Sequence, residues 1–82
     1  MQTISFVLPI YNEQDNIPRL WEELSSLKSK IEGEFKLEFI FVNDGSKDNS
    51  INELIKIKET NKGVVKIIDF ARNIVELITA DP

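Results

Sequence analysis

The sequence predicts an α/β fold, a Rossmann-like β-α-β-α-β unit with a parallel sheet in the strand order 3-2-1. Three observations predict it. Short apolar runs rich in β-branched and aromatic residues alternate with longer segments whose apolar residues recur every three or four positions. That alternation favours parallel strands joined by right-handed crossovers. Each apolar run also stops abruptly at residues that suit turns and poorly suit strands.

The first run, Ile4 to Ile10 in "ISFVLPI", reads as a strand. Apolar residues then fall at Ile17, Leu20, Trp21, Leu24, Leu27 and Ile31, one stripe of an amphipathic helix. Asp15 or Asn16 can cap it, Pro18 is tolerated in its first turn, and Gly33 marks its end. The second strand is Phe35 to Val42, "FKLEFIFV". Ile51, Leu54, Ile55 and Ile57 give a second helix, with Ser46, Asp48 and Asn49 as candidate caps. Asn61 to Gly63 is a turn, and Val64 to Phe70, "VVKIIDF", is the third strand. A third helix is expected to start near Asn73 and to stop within about two turns.

Two like-handed crossovers put both helices on one face of the sheet. Ile4, Phe6, Leu8, Phe35, Leu37, Phe39, Phe41, Val65 and Ile67 share the parity that suits that face. The other parity holds Ser5, Val7, Lys36, Glu38, Ile40, Val42, Lys66 and Ile68, polar near the strand starts and apolar near their ends. Parallel sheets are normally covered on both faces. The expectation is therefore half of a three-layer-type fold. Its open face and first-strand edge would be covered by a C-terminal half or by a homo-oligomer.

Composition narrows the chemistry. The chain has 82 residues, one small domain or part of a larger one. At 41% hydrophobic it can form a core. Without cysteine it has no disulfide or thiolate metal site, and without histidine it lacks the commonest general base. A net charge of −4 argues against nonspecific nucleic-acid binding. No apolar run reaches the roughly 20 residues of a membrane span, and the start lacks a basic leader region. A cytoplasmic protein is expected.

In an open α/β sheet, ligands bind outside the carboxyl ends of the strands. The three ends here are "PIYNE", "VNDGS" and "DFARN". Taken singly, each has a plain structural reading. Asp44-Gly45-Ser46 suits turn chemistry, and Pro9, Asn12 and Glu13 suit a strand-to-helix junction. Together they deliver polar groups to one rim. A carboxylate at the end of the second strand, Asp44, can accept hydrogen bonds from a nucleobase or a ribose, and Tyr11 can flank a base.

"SFVLPIYNEQDNIPRL" followed by "FIFVNDGSKDNS" resembles the start of the family 2 glycosyltransferases, which have the GT-A fold. It looks most like the branch that transfers sugar to a polyprenyl or dolichyl phosphate. "ARN" after the third strand matches a further landmark, so the resemblance covers Ile4 to about Asn73 and leaves residues 74–82 as an unaligned tail of a single 1–82 domain. It implies a UDP- or GDP-linked nucleotide sugar as partner. Asp44 matches the aspartate that contacts the base, and Pro9, Tyr11, Asn12 and Glu13 match the loop that lines the nucleotide. Ser46 belongs to the same second motif. Arg72 and Asn73 match positions near the diphosphate, and Asn43 stands where many members have Asp.

The resemblance also implies Mg²⁺ or Mn²⁺ in a full-length enzyme, at the cytoplasmic face of the membrane. This sequence has no D-x-D metal motif and no evident later base. No residue is assigned a catalytic or metal-binding role, and this chain alone is expected to be inactive. The rival reading is a non-catalytic interaction or oligomerisation module that has lost the ligand. A receiver domain lacks support because no acidic pair follows the first strand, and a dinucleotide fold because no G-x-G-x-x-G does.

Overall fold

The computed structural model describes residues 2–70 and 76–78. In chain order the elements are β1 (Gln2–Ile10), α1 (Ile17–Ile31), β2 (Phe35–Asn43), α2 (Ser50–Thr60), β3 (Val65–Asp69) and β4 (Glu76–Ile78). They form one sheet in the order β1-β2-β3-β4. The first three strands are parallel, which is the expected 3-2-1 arrangement read from the other edge.

β4 corrects one expectation. The start of the helix foreseen near Asn73 lies outside the described residues, but Glu76–Ile78 is a strand, antiparallel to β3. The reason is nonlocal. A helix of two turns is marginal in water, whereas the free edge of β3 offers a ready row of backbone partners. Ile67 pairs with Ile78, and Asp69 with Glu76.

Burial follows the expected alternation. Leu37, Phe39, Phe41, Val65 and Ile67 are buried, and Ile4, Phe6, Leu8 and Phe35 pack against them. Ile17 and Leu24 of α1 and Leu54 of α2 join the same core, so both helices share one face. Trp21 closes the layer. Its ring meets Phe39 edge-on at 5.4 Å and Phe41 at 6.4 Å, while Phe6 stacks on Phe39 at 5.6 Å. Such ring pairs each add about 1 kcal/mol beyond the area they bury.

The helix ends follow local chemistry with two departures. α1 starts with Pro18 in its first turn and stops at Ile31, where Lys28 and Lys30 complement the negative helix end. Neither Asn16 nor Asn49 makes a side-chain cap bond, although both occupy N-cap positions. Gly33 follows the helix without taking positive φ. The left-handed glycines are Gly45 and Gly63, at φ 74° and 83°.

The opposite face carries a small polar cluster near the strand starts. Ser5 Oγ donates to Glu38 Oε1 (2.9 Å), and Lys66 Nζ lies 2.7 Å from Glu38 Oε2. The Lys66 hydrogen bond, then that of Ser5, holds the Glu38 carboxyl below its ordinary value. Toward the carboxyl ends the face turns apolar, with Val7 63% exposed and Ile40, Val42 and Ile68 half-buried. No described helix is long and apolar enough to cross a membrane.

Candidate functional site

The register brings the three strand ends to one level. Ile10 pairs with Asn43, and Asn43 with Asp69. The ladder continues one step further. Asp44 N donates to Ile10 O and Phe70 N to Asn43 O, each at 3.0 Å. The residues that follow the strands, Tyr11, Asp44 and Phe70, therefore form a common rim. All three are exposed, Tyr11 by 55% and Phe70 by 43%. Strands lie about 4.8 Å apart, so Asp44 stands midway between two aromatics about 10 Å apart along the sheet. Its carboxylate makes no hydrogen bond among the described residues.

Beneath the rim lies a buried polar pair. Asn43 Nδ2 donates to Asp69 Oδ1 at 3.1 Å, and both residues are 1% exposed or less. Asn43 Oδ1 is buried without a hydrogen-bond partner among the described residues. An amide suits this place, because it can donate to the neighbouring carboxylate, which a second carboxylate could do only by keeping a proton.

The loops after β1 and β2 are laced together. Asn12 N donates to Ser46 Oγ (3.0 Å), and Lys47 N to Asn12 Oδ1 (2.8 Å). Glu13 N donates to Ser50 Oγ (2.9 Å), Gln14 N to Asp48 Oδ2 (3.2 Å), and Asn49 N to Gln14 Oε1 (3.0 Å). In each bond a side chain of one loop meets the backbone of the other. The crossing requires special backbone at two points, Asn12 at φ 49° and Gly45 at φ 74°. Asparagine tolerates the left-handed region better than most residues, and glycine enters it freely. Ser50 also donates its hydroxyl and its N–H to Asp48 Oδ1, at 2.6 and 2.9 Å. The hydroxyl bond is the main cause that keeps the Asp48 carboxyl below its ordinary value, helped by the Ser50 and Gln14 amides.

The expected site residues thus divide. Tyr11 and Asp44 share the rim. Asn12 and Ser46 stand beside it, with Asn12 Oδ1 and Ser46 Oγ engaged in the lacing. Pro9 and Glu13 instead line a groove of about 480 Å³ between β1 and α1, over Leu8, Ile10, Ile17 and Leu20. Glu13 is turned to its own helix, where Oε2 accepts from Asn16 Nδ2 at 2.8 Å. Arg72 and Asn73 lie outside the described residues. Phe70 was not foreseen at the rim, because "VVKIIDF" reads as a continuous strand. Its signal was only an aromatic at the level where the other two strands stop.

These features define an open α/β sheet unit with an exposed rim at its strand carboxyl ends. The sequence profile of glycosyl transferase family 2 matches residues 5–79, and the chain belongs to that family. It is 37% identical over 70 residues to an uncharacterised glycosyltransferase of Synechocystis sp., covering 85% of this chain and 21% of that protein. It is 41% identical over 69 residues to the uncharacterised glycosyltransferase YkcC of Bacillus subtilis, covering 84% and 20%. A third relative is the undecaprenyl-phosphate 4-deoxy-4-formamido-L-arabinose transferase of Pseudomonas fluorescens, 33% identical over 73 residues, or 89% and 21%. The chain spans about a fifth of the length of these relatives.

Family membership fits a divalent cation in a full-length protein. Among the described residues, no group of three or more metal-ligating side chains comes together. The described residues therefore do not by themselves form a site for that cation.

Proposed function

We propose that this chain supplies the nucleotide-binding part of a glycosyltransferase that moves a hexose from a UDP- or GDP-linked donor to a polyprenyl phosphate. The observation that carries the reading is the Tyr11–Asp44–Phe70 rim, an exposed carboxylate with no partner among the described residues, between two exposed aromatics. In this reading Asp44 accepts N–H or ribose O–H groups of the donor, and the rings flank the base. The loop from Pro9 to Glu13 and Ser46 line the nucleotide, and Arg72 serves the diphosphate. Support for the acceptor is the named substrate of the Pseudomonas relative. That substrate also suggests a role in cell-wall glycan synthesis on the cytoplasmic side of the membrane.

Transfer itself falls to parts that a full-length enzyme carries beyond this segment, and the 82-residue chain alone is inactive. The open sheet face is covered by that remainder or by a second copy of the chain. Calorimetric titration with UDP, GDP and their sugars tests the reading. Saturable heat with one base family supports it. Silence with all of them at millimolar concentration favours the rival, an interaction or oligomerisation module on the same fold.

A further inference from the structure

We infer that Asp48 is a positioning residue for the rim, the hub that fixes the loop after β1, at Glu13 and Gln14, against the Asp48–Ser50 segment that leads from the Asp44–Ser46 turn into α2. It rests on the proposed nucleotide site for its function, but its geometry stands apart from any ligand. The two carboxylate oxygens divide their work. Oδ1 accepts the N–H and hydroxyl of Ser50, on its own side, while Oδ2 reaches across to the Gln14 N–H. Ser50 Oγ, having donated to Asp48, accepts the Glu13 N–H. One carboxylate therefore holds two consecutive amides of the first loop, one directly and one through a buried hydroxyl.

These amides are separated from Tyr11 by one and two residues, so their placement sets where the ring stands relative to Asp44. An anion is the right hub. It accepts three hydrogen bonds with no proton of its own to misplace, and charge-assisted bonds are the stronger ones. The lowered carboxyl of Asp48 agrees with that role.

Asp48→Asn separates positioning from folding. Its remaining oxygen can keep both Ser50 bonds, and so the start of α2. The new NH₂ then faces the Gln14 N–H, donor against donor. Hydrogen exchange and UDP or GDP titration are measured on the full 82-residue chain. In the variant, Gln14 amide exchange should rise about fivefold or more, the effect of one lost hydrogen bond. Affinity for the nucleotide that binds the wild type should fall by a similar factor, while exchange in β2 and β3 stays unchanged. Ser50→Ala should free the Glu13 amide in the same way.

Gln14 exchange equal to wild type overturns the clasp. Faster Gln14 exchange with unchanged affinity overturns its positioning role. If neither nucleotide binds the wild type, the nucleotide reading fails and the positioning role falls with it, while exchange still reports whether the clasp exists.

Discussion

Replacing Asn43 by Asp tests the buried layer under the rim with a single atom-scale change. In the native pair Asn43 Nδ2 donates to Asp69 Oδ1 at 3.1 Å, with both side chains out of solvent. Asn43→Asp sets two carboxylate oxygens at that separation. If both stayed ionised, repulsion at an effective dielectric of 20 would be about 5 kcal/mol. Keeping one proton on the pair is cheaper. Holding a carboxyl protonated at pH 7, when it would ionise near 4 in the unfolded chain, costs about 4 kcal/mol. The smaller cost sets the ceiling, so the expected loss at neutral pH is at most about 4 kcal/mol.

The sign follows from the proton. The variant pair binds a proton more tightly folded than unfolded, so its stability is intact below the unfolded carboxyl value and is lost as pH rises. A small domain has only about 5–15 kcal/mol in total, so the variant should be largely destabilised at pH 7 and close to wild type near pH 4. Urea unfolding followed by circular dichroism at both pH values measures the difference. An equal loss at the two pH values, or a loss under about 1 kcal/mol at pH 7, would rule out a proton held between the two carboxyl groups.

Other outcomes follow from single features. Gly45→Ala meets no neighbouring atom within 4 Å, so its cost arises from φ 74° alone and should be about 1–2 kcal/mol in thermal unfolding. The Glu38 carboxyl, held low first by Lys66, contributes stability that is complete above its unfolded value and is lost as pH falls below it. Glu38→Gln should therefore flatten the acid limb of a stability–pH curve, and should do so less at high salt because the pair is partly exposed. Phe39→Ala removes a fully buried ring that meets both Phe6 and Trp21, with an expected loss of 3–5 kcal/mol by urea unfolding.

Much of this molecule was legible from its order of residues. The alternation in "FKLEFIFV" sorts Leu37, Phe39 and Phe41 from Glu38 and Ile40, because strand side chains repeat every two residues, and burial follows that sorting. The common level of the strand ends was legible as well, since three strands of one parallel sheet must end on one side, but the place of Phe70 on it and the turn of Glu13 away from it were not. What escaped was nonlocal. β4 depends on an open edge made by residues far earlier in the chain. The pairing of Asn12 with Ser46 and Lys47, and of Gln14 with Asp48 and Asn49, spans more than 30 residues and has no periodicity. Read locally, Asp48 is a cap candidate. In the fold it joins two loops, and the N-cap side chains make no cap bond.

Asp44 is the one rim group with a charge and no partner among the described residues. The most direct measurement is a nuclear magnetic resonance titration of the chain with UDP and with GDP, for wild type and Asp44→Ala. Saturable amide shifts centred on Tyr11, Asp44 and Phe70 are expected with one of the two nucleotides. Binding should be at least tenfold weaker in the variant, the usual effect of losing a hydrogen bond to a charged acceptor. Absence of shifts at millimolar nucleotide, or equal binding by Asp44→Ala, would exclude Asp44 as a nucleotide contact.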